Sequence, residues 1–299
     1  MNDFVQHVSV MLRQVGDLCA DLEEGWVVDG TVGLGGHAEE ILRRTPEAVR
    51  VLGMDRDPSA LAVARARLEA FGTRFVAVHR GYEDLPEVLE ERGIGPVPRL
   101  ILDLGLSNAQ LASDRGFSVR PGQPLDLRFD PGEGRPARDR IREVPEPVLA
   151  AALRDHGDVP AAARLARRLK EEARRGRMET TDDLIGVCRE VLGPRVRTMP
   201  SALLPLQALR ILVNDEMGRL DRLLDRLPQV IRPGGRVGVL AFHSGEDRRV
   251  KQAFRRLAAS GAFRLPHRKP VSPDPEEVRR NRQARSAHWR VLERAGGEP

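Results

Sequence analysis

The chain has 299 residues, 40% hydrophobic and 31% charged, with a formal net charge of +5. No apolar run approaches the ~20 residues of a membrane span and no leader pattern opens the chain, so a cytoplasmic protein without a membrane partner is expected. Cys19 and Cys188 stand far apart with no C-x-x-C pair, which argues against a disulfide framework and against a zinc site.

In chain order, a short apolar segment at His7–Leu12 leads to a first predicted strand, Gly25–Asp29. The stretch Asp29-Gly30-Thr31-Val32-Gly33-Leu34-Gly35-Gly36-His37-Ala38 follows, and a helical pattern runs over Ala38–Arg44. Strand, glycine turn and helix start in one piece make a nucleotide-type pocket. Its glycines tolerate positive φ and admit a ligand, and the free N–H groups of the helix start face that ligand. The next strand, Val49–Asp55, ends in a carboxylate placed to accept hydrogen bonds from both ribose hydroxyls of an adenosine. A helix over Pro58–Phe71, a strand over Phe75–His79, a helix over Leu85–Arg92 stopped by Gly93, and a strand over Arg99–Leu104 complete the run. This alternation predicts a parallel, doubly wound α/β sheet of Rossmann-like type.

After Leu104 the pattern changes. Residues 105–136 carry Gly, Pro, Asp and Arg without periodicity, and helical patterns then run from Pro147 to Leu192. Another helix, Gln207–Leu227, leads through Pro233-Gly234-Gly235 to a strong late strand, Arg236–His243. The length fits about two domains. The expected organisation is one discontinuous α/β domain, residues 1–107 and 206–299, holding an inserted all-helical domain at 108–205.

Gly33 to Ala38 also satisfies the G-x-G-x-x-A fingerprint, so an NAD- or FAD-dependent oxidoreductase is an alternative. Against it, Asp29 precedes the glycines, where it suits the cationic amine of S-adenosylmethionine, and the Asp-Gly-Thr lead-in resembles the first motif of class I methyltransferases. All but three of the basic residues are arginine, which forks onto phosphates and stacks on bases. Two clusters stand out, Arg164–Arg177 and Arg279–Arg285, each readable as an RNA contact or as a solvated face.

Further motifs extend the pattern. They are Gly53-Met54-Asp55-Arg56-Asp57, Asp103-Leu104-Gly105-Leu106-Ser107, Arg115-Gly116-Phe117-Ser118 and Pro124-Leu125-Asp126-Leu127-Arg128. Gln207–Glu216, Phe242-His243-Ser244-Gly245-Glu246-Asp247-Arg248 and Asn281–Ala287 follow. Together they make the chain resemble the MraW family of small-subunit ribosomal RNA methyltransferases, from His7 to Arg290. The resemblance implies N4-methylation of a cytidine in 16S rRNA of the small ribosomal subunit, with S-adenosylmethionine as donor. It also implies a class I methyltransferase sheet interrupted by a helical domain for RNA recognition. The family's cofactor residues fall on Gly35, Gly36 and His37, on Asp55, and on Asp103 and Gln110. Tyr82 stands where the family usually has Phe. Asp29 and Gly33 join them from the reading of the residues themselves. A non-catalytic RNA-binding assembly factor on the same fold is a further alternative, and a monomer or a homodimer fits equally.

Cytosine N4 is a poor nucleophile because its lone pair is delocalised, so acceptors near N4 are needed to stabilise developing charge and take a proton. Asp103, Ser107 and Asn108 directly follow the fourth strand and are the candidate catalytic group. Asp103 is expected on the cofactor side, with Ser107 or Asn108 positioning N4. The late motif is not H-E-x-x-H and no metal is expected. It reads as a strand end beside the substrate opening, with Glu246 and Asp247 starting a helix. Departures from the family occur at Asn108-Ala109, His156–Ala161, Leu206 and Gly245.

Overall fold

Apolar runs that end in carboxylates build the parallel part of the sheet. The computed structural model describes residues 9–193 and 199–296. Its chain runs through α1 (Leu12–Cys19), β1 (Gly25–Asp29), α2 (Gly36–Arg44), β2 (Val49–Asp55), α3 (Pro58–Arg67), β3 (Phe75–His79), α4 (Leu85–Glu91) and β4 (Val97–Asp103). Helices α5 (Asn108–Ala112), α6 (Ala137–Glu143), α7 (Glu146–Gly157), α8 (Ala162–Arg174), α9 (Thr181–Leu192), α10 (Met199–Asn214) and α11 (Glu216–Val230) follow. Then come β5 (Ile231–Ala241), α12 (Ser244–Ala259), β6 (Phe263–Arg264), α13 (Pro275–Arg280) and β7 (His288–Arg294). The chain divides into two compact units: residues up to Gly105 with those from Gly218 onward, and Leu106–Met217.

In the first unit the sheet order is β3-β2-β1-β4-β5-β7-β6, with β7 antiparallel to both neighbours and the other pairings parallel. Alternation along each strand feeds two cores. Val28, Leu52, Leu100 and Leu102 pack with α4, α11 and α12, whereas Val27, Val51 and Ile101 pack with α1, α2 and α3. Register sets Asp29 beside Gly53 on one side and Ile101 on the other. Asp55 and Asp103 therefore end their strands two residues further on, at one edge of the sheet.

Several elements differ from the sequence pattern, and β5 starts at Ile231, so that the Pro233-Gly234-Gly235 read as its lead-in lies inside it. The predicted helix Pro58–Phe71 ends at Arg67 and a 3-10 turn, Glu69–Arg74, takes over. The long helix predicted over Gln207–Leu227 is two helices, parted at Asp215 with φ 49°. The segment after the basic run is strand β7, whose Trp289 ring fills the space over Gly238.

The second unit is helical and its core joins α6 to α10, including Leu149, Leu153, Leu165, Leu169, Leu184 and Leu209. α10 belongs to this unit, where the pattern had grouped it with the α/β domain. Arg210 and Glu216 form a buried bidentate ion pair at 2.7 and 2.9 Å, and Asn214 joins Leu127 O, Arg210 O and Phe129 N. These residues are a structural network at the break in the helix. The free Cys19 and Cys188 are buried, and burial pushes both thiols up to about 12. Among the described residues, no helix is long and apolar enough to cross a membrane.

Candidate cofactor and catalytic site

Between β1 and α2 the chain turns through Gly33 at φ 50° and Gly35 at φ 83°, conformations that cost a side-chain-bearing residue dearly. A Cβ on Gly30 would come within 2.6 Å of Leu102 Cδ2 and 3.1 Å of Tyr82 Cβ. A Cβ on Gly35 would crowd Leu68 at 3.1 Å, and one on Gly36 would collide with Ser9 Oγ. Gly33 is different, since its nearest neighbour would be Thr31 O at 3.8 Å. The glycines at 30, 35 and 36 thus admit the protein's own packing, and Gly33 leaves open space.

Backbone donors fasten the loop to the strand-end carboxylates. Gly33 N donates to Asp55 Oδ2 at 2.8 Å, Asp57 N donates to Asp55 Oδ1 at 2.8 Å, and Thr31 N donates to Asp29 Oδ1 at 3.2 Å. Asp103 N lies 2.6 Å from Thr31 Oγ1, the acceptor that stitches β4 to the loop. At this loop two buried carboxylate oxygens, Asp29 Oδ2 and Asp103 Oδ1, have no hydrogen-bond partner among the described residues. In a native fold an unsatisfied buried acceptor of this kind calls for an explanation, and a ligand donor is one.

His37 does not cap α2. Gly35 occupies the cap position, and the imidazole is buried. Its Nε2 lies 2.9 Å from Val10 O, an acceptor, so Nε2 carries the proton and Nδ1 faces Asp103 Oδ2 at 3.5 Å. Two lone pairs would oppose each other there unless a proton lies between them, either on Asp103 or on the ring.

Burial pushes the Asp29 carboxyl up to about 7, opposed by the charge of His37 and the Thr31 amide. Asp103, whose side chain is 25% exposed although Oδ1 is covered, rises to about 7 through burial and the nearby charge of Glu246. Burial likewise raises Asp55 to about 6 against the amides it accepts.

Glu246 was legible only as a helix-start charge. It is 1% exposed and closes a capping box in which its Oε2 accepts from His243 N at 3.3 Å, and the same oxygen accepts from Phe242 N at 2.9 Å. His243 Nδ1 accepts from Gly245 N and Glu246 N, and His243 Nε2 lies 3.0 Å from Glu246 Oε1. A Glu three residues after a capping residue is the sequence signal for this box.

Tyr82 opens a 3-10 turn after β3 and is half-buried against the core. The adjoining Glu83 is buried and paired with Arg219. Ser107 and Gln110 lie in the second unit, where they cap α5: Ser107 Oγ accepts from Gln110 N at 3.2 Å and Gln110 Oε1 from Ser107 N at 3.0 Å. Asn108 opens α5, and its side chain lies outside the described part. The structure therefore brings Asp29, Gly33, Asp55, His37 and Asp103 together in the first unit.

Four acidic side chains gather at this sheet edge, three of them carboxyls that burial holds partly protonated. Such a site favours a cation with hydroxyls to donate, and S-adenosylmethionine, with its sulfonium, ammonium and ribose diol, fits the two unpartnered oxygens. A dianionic pyrophosphate would meet these same carboxylates, so the oxidoreductase alternative lacks support.

A 3-2-1-4-5-7-6 sheet with β7 antiparallel, and an acidic cofactor edge, define a Rossmann-like methyltransferase of class I. The chain belongs to the MraW methylase family, whose family model matches residues 4–295. Its cofactor is S-adenosylmethionine. It is 40% identical over 294 residues to the ribosomal RNA small subunit methyltransferase H of Sorangium cellulosum, covering 98% of this chain and 92% of that protein. The protein of the same name from Cutibacterium acnes is 40% identical over 314 residues, covering 98% and 93%. A solved rRNA methylase from Streptococcus thermophilus aligns over 97% of this chain and 99% of that one at 12% identity, with a TM-score of 0.42, too distant to bear on function.

Proposed function

We propose that the chain methylates N4 of a cytidine in the 16S rRNA of the small ribosomal subunit. Its close relatives carry the name of a small-subunit rRNA methyltransferase, which supports the substrate. The observation that carries the chemistry is the covered, unpartnered Asp103 Oδ1 at the end of β4.

Bound S-adenosylmethionine supplies an electrophilic methyl group. Asp29 holds its ammonium, Asp55 its ribose diol, and Tyr82 lies against adenine, with Gly33, Gly35, Gly36 and His37 forming the loop and Gln110 a further contact. The cytidine leaves its stack to reach the site. As the N–C bond forms and the S–C bond breaks, N4 becomes cationic and must shed a proton. Asp103 Oδ1 accepts it, and a carboxyl near 7 is matched to that task at neutral pH. Ser107 and Asn108 position N4, a reading that rests on their place in the chain after β4. The helical unit recognises the RNA.

The test compares the wild type with Asp103→Asn and Asp103→Ala on 30S subunits and on naked 16S rRNA, with mass spectrometry of the digested nucleosides. N4-methylcytidine from the wild type and a loss of turnover of about 10²-fold or more in both variants are expected. Wild-type turnover from Asp103→Asn refutes the base, and methylation at cytosine C5 refutes the target atom.

A further inference from the structure

The two basic runs of this chain differ in how many of their arginines meet a carboxylate. In α8 and the turn after it, Arg168 pairs with Glu172 and Glu190, Arg175 and Arg177 pair with Glu172, and Arg164 donates to Val191 O. The Glu172 carboxyl is accordingly held down to about 2. Glu172 and Glu190 thus engage Arg168, Arg175 and Arg177 of that run, while Arg167 and Arg174 stay exposed.

The excursion between β6 and β7 is different. Four of the seven residues from Arg279 to Arg285 are arginine and none is acidic. Arg280 pairs with Glu276, but among the described residues Arg279, Arg282 and Arg285 have no carboxylate partner, and all three are exposed. Residues 282–286 form a 3-10 turn, in which side chains three apart eclipse. Arg282 and Arg285 therefore share the outer face, while Ala284 and Ala287, 0% and 1% exposed, seat the turn in the core beneath α1 and α2. Small anchors inside and, among the described residues, guanidinium groups without a carboxylate outside make a cationic platform.

This platform is fastened to the cofactor loop. Glu277 of α13 accepts from Met11 N at 2.6 Å, and Met11 is buried with φ 54°. The preceding Val10 carbonyl holds His37 Nε2, and Ser9 Oγ occupies the space beside Gly36. A short strap, Ser9–Met11, thus spans from the arginine-bearing excursion to the glycine loop.

We infer that Arg279, Arg282 and Arg285 form a docking surface for the phosphate backbone of the rRNA on the cofactor-binding unit itself. This inference rests on the proposed RNA substrate. A guanidinium without a carboxylate partner forks onto phosphate oxygens, and each contact releases condensed counterions. The assay is binding of 30S subunits and of 16S rRNA over a range of salt concentrations, with KM and kcat for methyl transfer and calorimetry with S-adenosylmethionine as companions. The triple variant Arg279→Gln/Arg282→Gln/Arg285→Gln is expected to flatten the log–log salt slope by about 2, at ~0.7 per lost contact to a single strand. Its RNA KM rises while kcat and cofactor affinity stay at the wild-type level. The Arg→Lys triple variant restores the slope. A glutamine variant with wild-type slope and KM overturns the surface while leaving the proposed function standing. A wild type that neither binds nor methylates the RNA overturns the proposed function and this surface with it.

Discussion

The raised carboxyls make the affinity for the cofactor a function of pH with a calculable slope. Burial holds Asp29 and Asp103 up to about 7 and Asp55 up to about 6, with Asp57, Glu246, His37 and His243 among the other ionisable groups at this edge. A cation that binds the ionised carboxylates binds more weakly by the fraction protonated. For one carboxyl near 7, that factor is about 11 at pH 6 and about 1.3 at pH 7.5, so affinity rises about eightfold per carboxylate across the window. Asp29, which faces the ammonium, sets this rise, and Asp29→Asn flattens it, whereas Asp103→Asn leaves most of it in place. Calorimetry between pH 6 and 7.5, below the point where the ligand's own amine deprotonates, measures this. Repeating it in buffers of different ionisation enthalpy counts the protons released on binding. An affinity that is flat or falls as pH rises refutes the assignment of these carboxylates to the cofactor cation. The sign for stability is the reverse: the folded unliganded protein binds more protons than the unfolded chain between about pH 4 and 7, so these groups make it lose stability as pH rises through that window.

Gly36→Ala should destabilise by about 1–3 kcal/mol in urea denaturation, because its methyl group meets Ser9 Oγ. Adding Ser9→Gly should recover part of that loss, and a double variant no more stable than the single one would show that Ser9 is not the obstacle. Glu216→Gln leaves Arg210 buried beside a neutral amide and should cost about 3–5 kcal/mol. A denaturation midpoint unchanged from wild type would mean the pair is solvated in solution.

The strand-end acids were legible because each closes an apolar run, and register then carries Asp29, Asp55 and Asp103 to one edge. The glycine loop was legible for the same reason, although Gly35 and Gly36 turned out to make room for Leu68 and Ser9. What the sequence hid acts through space. The acceptor for His37 is Val10, well before it in the chain, and nothing local marks that pairing. β7 carries arginines among its apolar residues, and its identity as a strand comes from pairing with β5. The break at Asp215 sits inside an unbroken helical pattern and is set by Asn214 reaching Leu127 and Phe129.

The division of the first unit in the chain has a consequence during synthesis. The strands β3, β2, β1 and β4 emerge from the ribosome early, but β4 pairs on its other side with β5, which is made only after the whole second unit. At 5–20 residues per second, this leaves the β4 edge open for roughly 10 s. That edge carries the apolar run Leu100-Ile101-Leu102, the kind of segment that pairs with another chain when left open. A nascent chain stalled within the second unit would present it to its neighbours on the same polysome.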